Sequence, residues 1–191
     1  MTCCAGVLDE GCVWLSSDQM VTRSTGGKLL NGVKIDQVLG CGIAVSGDPG
    51  FKQIVVKALY QYVDLDTEEA PVIIDADSFG DFLRETLHNM GWTPKLEDGD
   101  APFWGVNLLL TDGRTLWCYD SSMFAYKVEN YEVIGSGAMV GLSAASVLDT
   151  FGVSGKDMAS GIVEAAIKTN VWCGGVPQTR AFTPSFYVNL Q

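Results

Sequence analysis

Histidine is nearly missing from this chain: His88 is the only one in 191 residues. A His-rich zinc site is thereby excluded, and a Ser-His-Asp or Cys-His arrangement would have to run through that one side chain. Basic residues are scarce too, with 12 Lys and Arg against 23 Asp and Glu, for a formal charge of −11. Nucleic-acid binding needs a basic footprint to displace counterions, and an anionic membrane surface repels such a chain, so no nucleic acid and no membrane is expected as a partner. The longest uncharged run, Val133 to Leu148, falls short of the ~20 apolar residues of a membrane span and is broken by Gly and Ser. The opening MTCCAGVLDEG lacks a basic segment ahead of an apolar one, so no secretory signal is expected and the protein is read as cytoplasmic. There is no C-x-x-C pair. Cys3, Cys4, Cys12, Cys41, Cys118 and Cys173 lie mostly in apolar runs and read as small buried hydrophobes, so no metal and no cofactor is expected.

What is present is core-forming material: 47% of residues are hydrophobic and 18% charged, enough for one sizeable domain, taken as 1–191. The first 47 residues read as strands, TCCAGVL, CVWLSSD, VKIDQVL and CGIAVSG, separated by short turns and a Gly/Thr/Ser stretch. A helix follows with Asp48 as cap and Pro49 at its first position, and Phe51, Ile54, Val55, Ala58, Leu59 and Tyr62 on one face. After an acidic loop, 64–71, a second helix starts near Ser78 with Phe79, Phe82, Leu83, Thr86, Leu87 and Met90 as its stripe. His88 stands beside that stripe and reads as an ordinary helix residue. Beyond a loop at 93–102 come strands in FWGVNLLLTD, TLWCYD, MFAYKV and YEVIG. Two helices follow, Ser136 to Thr150 and Lys156 to Thr169, the latter opened by a Ser154/Asp157 capping box, and SFYVNL closes the chain as a strand. Clustered strands with helices in pairs do not fit βαβ alternation. They fit an α+β arrangement of two stacked antiparallel sheets with a helix pair outside each.

Two features bear on chemistry. The turn Gly135-Ser136-Gly137 lies between a strand and a helix, but the next glycine, Gly141, is one position late for a dinucleotide fingerprint and another helix follows. It reads as a tight turn that presents Ser136 and backbone N–H groups. The second feature is Thr2, which follows Met1 and is small enough for methionine removal to be tolerated. Such removal gives one residue both a hydroxyl nucleophile and an α-amine of pKa ~7.7–8.0, a general base at neutral pH.

Counting from Thr2, Asp18 lies 16 residues on and Lys34 lies 32 residues on. A strand, a hairpin and a returning strand bring such residues side by side, where Asp18 and Lys34 taken alone equally fit a structural ion pair. In these spacings the sequence resembles the proteasome β-subunit and the bacterial HslV protease, N-terminal nucleophile hydrolases. VWLSSDQMVT is similar to the family's strand ending in Asp, NGVKIDQV to its Lys strand, AVSGDPGF to its oxyanion loop and VIGSGAMVG to its Gly-Ser-Gly turn. The resemblance runs from Thr2 to about Gly175. It implies a four-layer αββα sandwich and a threonine peptidase acting on unfolded polypeptides inside a homo-oligomeric ring fed by an ATP-driven unfoldase. It implies Thr2 as nucleophile, Lys34 and Asp18 as its charged support, the Gly47 N–H as oxyanion donor, Ser136 beside the Thr amine and Val45 in an apolar specificity pocket. Asn170 and Cys173 stand where many proteasome-type sites carry a supporting Asp and Ser. Asn170 keeps the hydrogen-bonding shape without the charge, and Cys173 offers a weak S–H donor. The alternative is a non-catalytic ring or shell subunit that keeps the fold for assembly.

Overall fold

The computed structural model describes residues 2–22, 28–29, 31–63, 72–94, 104–184 and 188–191. Met1, the acidic loop at 64–71 and most of the loop at 93–102 lie outside these. The chain begins with strands β1 (Cys4–Asp9), β2 (Cys12–Ser17), β3 (Val21–Thr22), β4 (Lys28–Leu29), β5 (Ile35–Val38) and β6 (Cys41–Ser46). Helix α1 (Phe51–Tyr62), strand β7 (Val72–Ile74) and helix α2 (Ala76–Asn89) follow, then β8 (Asn107–Thr111), β9 (Leu116–Tyr119), β10 (Ala125–Val128) and β11 (Tyr131–Ile134). Helices α3 (Ala138–Thr150) and α4 (Gly155–Thr169) precede β12 (Gln178–Phe182) and β13 (Val188–Leu190).

Two antiparallel sheets result. One has the order β11-β1-β2-β12 and the other β10-β9-β8-β6-β5. Buried apolar residues fall into three clusters that follow this layout. Phe51, Val55 and Leu59 of α1 and Phe79, Leu83 and Leu87 of α2 pack with Ile43, Leu108 and Leu110 of the second sheet. Each such side chain contributes ~1.5–3 kcal/mol on burial, which is why the stripe read from the sequence is the inward face, except at Met90, which caps the end of α2 and is exposed. Ile162, Val163 and Ala166 of α4 and Ala145 of α3 pack with Ala5, Val7 and Val133 of the first sheet. Between the sheets, Cys4, Val13 and Leu15 meet Ala44, Leu109 and Leu116. All six cysteines are free, and five of them are buried, as small core residues.

Several boundaries differ from the sequence reading, each for a local reason. Helix α1 starts at Phe51 rather than Pro49, because the Asp48 carboxylate closes its own turn by accepting from Gly50 N at 2.7 Å. Helix α2 starts two residues before Ser78, since Asp75 caps it through Ser78 N at 2.8 Å. Helix α3 starts at Ala138 rather than Ser136, the turn ahead of it being committed to Thr2. The Ser154 side chain makes no capping bond to α4. The next residue, Gly155, is left-handed at φ 55°, which turns the first N–H groups away from that hydroxyl.

The last strand belongs to neither large sheet. β13 pairs in parallel with β7, a strand not expected from sequence, while Ser185 to Tyr187 lie outside the described residues. The fourth strand of the first sheet is β12, equally unforeseen, since its edge position lets it be half polar. Among the described residues no helix is long and apolar enough to cross a membrane.

Candidate active site

Thr2 lies just ahead of β1 and is 4% exposed. Its backbone nitrogen donates to Ser136 Oγ at 3.1 Å, and the Ser136 hydroxyl reaches back to the Thr2 carbonyl at 3.2 Å. Gly137 N donates to the same carbonyl at 3.1 Å. The turn approaches this closely because Gly135, at φ 95°, has no Cβ; one built there would stand 2.3 Å from the Thr2 carbonyl oxygen.

Asp18 follows β2 and is wholly buried. Its Oδ1 accepts from Lys34 Nζ at 2.5 Å and from Cys3 N at 2.9 Å. Its Oδ2 accepts from Met20 N and Gly174 N, both at 3.1 Å. A buried carboxylate needs such partners, and here one ammonium and three backbone N–H groups fill its oxygens, the condition under which a buried charge is tolerated. Lys34 sits at the entry to β5 and is 6% exposed. Residue 47 closes β6 with φ 102°, and a Cβ there would lie 2.5 Å from the Gly105 carbonyl, so glycine is required.

A cavity of about 70 Å³ lies beside Thr2 and Lys34. Thr2, Lys34, Val45 and Gly47 belong to its wall, with Met20, Val21 and Val33 adding apolar surface. The turn into α1 contributes Asp48, Pro49 and Lys52. Ser46 is there too, its Oγ accepting from Asn107 Nδ2 at 3.1 Å.

Behind Ser136 stand Asn170 and Cys173. Asn170 Nδ2 donates to the Ser136 carbonyl at 2.8 Å, and its Oδ1 accepts from Trp172 N at 2.9 Å. Asn170 therefore uses its amide as donor and acceptor at once, a pair of contacts that a carboxylate cannot reproduce. Burial pushes the Cys173 thiol up to about 11, helped by the Asp18 charge and opposed by Lys34 and the Ser136 hydroxyl. At neutral pH it is a protonated filler rather than a nucleophile. Cys3, next to Thr2, is likewise pushed up, chiefly by burial.

The eight residues singled out from the sequence thus meet at one place: Thr2, Lys34, Val45 and Gly47 on the cavity and Asp18, Ser136, Asn170 and Cys173 supporting them. His88 is exposed on the last turn of α2 and does not line the cavity. Among the described residues no three His, Cys, Asp or Glu side chains converge as metal ligands. The sequence reading missed Lys52, the backbone donors Met20 and Gly174, and the close approach of Gly135. Only Lys52 had a signal, standing one helical turn beyond Asp48.

No protein-family model and no curated protein matches the sequence. Solved structures do match. Thiobacillus denitrificans BPH superposes with a TM-score of 0.75 at 20% identity, over 96% of this chain and 98% of that one. This chain has the proteasome/HslV-type fold. BPH in complex with epoxomicin gives the same score and identity, over 96% of this chain and 99% of that one. Eukaryotic HslV from Trypanosoma brucei gives a TM-score of 0.67 at 15% identity, over 95% and 99% of the two chains. In this proteasome/HslV-type frame the Thr2 end of β1 and the Gly135-Ser136-Gly137 turn are far apart in the sequence, and hydrogen bonds across 134 residues join them.

Proposed function

We propose that this chain is an N-terminal threonine peptidase, hydrolysing peptide bonds of unfolded polypeptides from a single four-layer αββα domain over residues 1–191. The observation that carries the reading is that Thr2 borders the same cavity as Lys34, whose ammonium is held by the buried Asp18 carboxylate at 2.5 Å. Removal of Met1 gives Thr2 a free α-amine, and Ser136 Oγ, 3.1 Å from that nitrogen, orients it. Thr2 Oγ adds to the substrate carbonyl carbon while its proton passes to the amine, directly or through water. The oxygen that gains negative charge accepts from the Gly47 N–H, and the Lys34 charge lowers the cost of the developing alkoxide. Collapse breaks the C–N bond, the ammonium returns its proton to the departing amine, and an ester on Thr2 remains. Water, deprotonated by the same amine, hydrolyses that ester and restores the enzyme.

The rest of the reading follows the same frame. Val45 in the cavity wall favours an apolar stem on the substrate residue. Copies assemble into a ring that encloses the sites in the cytoplasm, with an ATP-driven unfoldase feeding polypeptide to them. The shared fold with HslV, and with BPH in complex with epoxomicin, supports the peptidase class. The second reading, a non-catalytic ring or shell subunit, draws on Asn170 and Cys173, which stand where related sites carry Asp and Ser.

Intact mass separates the two. A peptidase has lost Met1 and gains one adduct from a peptide vinyl sulfone or from epoxomicin, and Thr2→Ala abolishes it. Assembled protein that keeps Met1 and takes no adduct is a shell subunit.

A further inference from the structure

Lys52 is the second residue of α1 and lines the same cavity as Thr2, together with the apolar residues Met20, Val21, Val33 and Val45. The same residue lines an open outer groove of about 660 Å³ with Asp36 and Lys57, so it stands between the two spaces. Its ammonium lies 3.2 Å from Asp36 Oδ2, in a pair whose side chains are 20% and 43% exposed. Exposed pairs of this kind contribute only ~0.2–1 kcal/mol, so this contact is a weak hold on the Lys52 charge. The other cation of the cavity differs: Lys34 is buried and committed to Asp18.

The surrounding charges favour a switch of partner by Lys52. Asp36 also feels Arg180: burial pushes its carboxyl up, but the Gln37 N–H, Lys52 and Arg180 outweigh burial and bring it below the usual carboxylate range. Asp36 therefore keeps a cation nearby when Lys52 turns inward. Asp48, the exposed carboxylate on the cavity rim, is occupied by Gly50 N at 2.7 Å. Lys34, Lys52 and Lys57 line the cavity and groove with Asp36 and Asp48, while Asp18 holds Lys34 and Arg180 acts on Asp36, so basic groups are concentrated here in a chain of formal charge −11.

We infer that Lys52 is a specificity-determining residue that makes the cavity select a peptide side chain with an apolar stem and a carboxylate tip, so that glutamate is taken in preference to its uncharged isostere glutamine and to leucine. The methylenes of the glutamate lie against Val45, Met20 and Val33, and the carboxylate accepts from the Lys52 ammonium out of bulk water, where a charge-assisted hydrogen bond is stronger than at the surface. The inference rests on the peptidase reading and narrows its substrate class.

The experiment reads binding, so it does not require turnover. N-acetylated peptides identical except for a C-terminal Glu, Gln or Leu are titrated by calorimetry into the assembled wild-type protein, Lys52→Met and Lys52→Gln, with thermal melts to establish folding. The Glu peptide is expected to bind wild type about tenfold tighter than the Gln peptide, and this ratio falls to within about twofold in both variants. Lys52→Glu is expected to favour a peptide ending in Lys over one ending in Glu. The inference is overturned if the Glu/Gln ratio is the same in wild type and in both neutral variants, if Leu binds wild type as well as Glu does, or if no peptide binds. Failure of the peptidase reading has a separate signature: the Lys52-dependent ratio persists while Thr2 takes no adduct and no peptide is cleaved.

Discussion

Lys34 Nζ meets Asp18 Oδ1 at 2.5 Å where neither residue is more than 6% exposed. Such a pair owes its tolerance to its partners, so deleting one member leaves a buried charge uncompensated, at ~3–5 kcal/mol. Asp18 also satisfies Cys3 N, Met20 N and Gly174 N, so Asp18→Ala is expected to lower the urea midpoint more than Lys34→Ala. The double variant Asp18→Asn/Lys34→Met removes both charges and is expected to recover part of that loss. On the peptidase reading none of these variants cleaves peptide, because the pair proposed to support the Thr2 alkoxide is broken in each. Equal urea midpoints for the two single alanine variants would show that the three backbone bonds to Asp18 contribute nothing.

Gly135 and Thr2 make the second test. At φ 95°, with a Cβ placed 2.3 Å from the Thr2 carbonyl oxygen, Gly135→Ala combines backbone strain of ~1–3 kcal/mol with a clash that pushes Thr2 off Ser136. On the peptidase reading Thr2 is the nucleophile, and since misplacing a reacting group costs about a hundredfold in rate, adduct formation at Thr2 is expected to slow by about that factor. Gly152 supplies the control, being left-handed at φ 70° with nothing within 4 Å of its would-be Cβ. Gly152→Ala carries the strain alone and leaves adduct formation at the wild-type rate.

Helix faces and the strands next to Thr2, Asp18 and Lys34 were legible because apolar periodicity reports which side is buried, and Phe51, Val55, Leu59, Phe79, Leu83 and Leu87 are all buried. β12 was not, because an edge strand with one buried residue in the run Gln-Thr-Arg-Ala-Phe has no alternation to read. The pairing of β7 with β13 joins short segments more than a hundred residues apart, which only the closed fold specifies. At the site, the spacing of Thr2, Asp18 and Lys34 announced the side chains that meet there. The backbone donors to Asp18 left no trace in side-chain identity, since Met20 and Gly174 act through their N–H groups. Asn170 was legible as a position but not as a device, for its role depends on the Ser136 carbonyl lying 2.8 Å from its amide nitrogen.

Buried thiols are expected to make the fold less stable in alkaline solution. Burial pushes Cys4, Cys41 and Cys118 each up to about 12 from an ordinary 9.0, so the folded state holds these protons after the unfolded chain has released them. Their contribution is fully present below pH 9.0 and is lost as pH rises toward about 12. The slope reaches at most ~1.4 kcal/mol per pH unit for each thiol. Urea denaturation at a series of pH values is expected to show stability falling across that window, with the fall shallower in Cys41→Ala. Alkylation of native protein at neutral pH is expected to reach Cys12, the one cysteine not fully buried, before the other five.

Asn170 yields the prediction on which the two functional readings press hardest. By resemblance to proteasome-type sites, Asn170→Asp restores the charge and ought to improve the site. The geometry argues the reverse, because Asn170 Nδ2 donates to the Ser136 carbonyl at 2.8 Å while Oδ1 accepts from Trp172 N. An ionised Asp there retains the acceptor and sets a second oxygen against the Ser136 carbonyl, losing one solvent-exposed hydrogen bond worth ~0.5–1.5 kcal/mol and adding repulsion. The turn that holds the Thr2 nitrogen is loosened with it. Asn170→Asp is therefore expected to lower thermal stability and slow adduct formation at Thr2 at neutral pH. Protonation supplies an O–H donor in place of the lost amide, so the stability defect relative to wild type shrinks as pH falls toward the carboxyl's pKa of ~4. Parallel melts of the variant and wild type between pH 7 and pH 4 give the comparison. A variant that is more stable at pH 7 and reacts faster would show instead that charge at this position, and not the amide's donor, is what the Thr2 site requires.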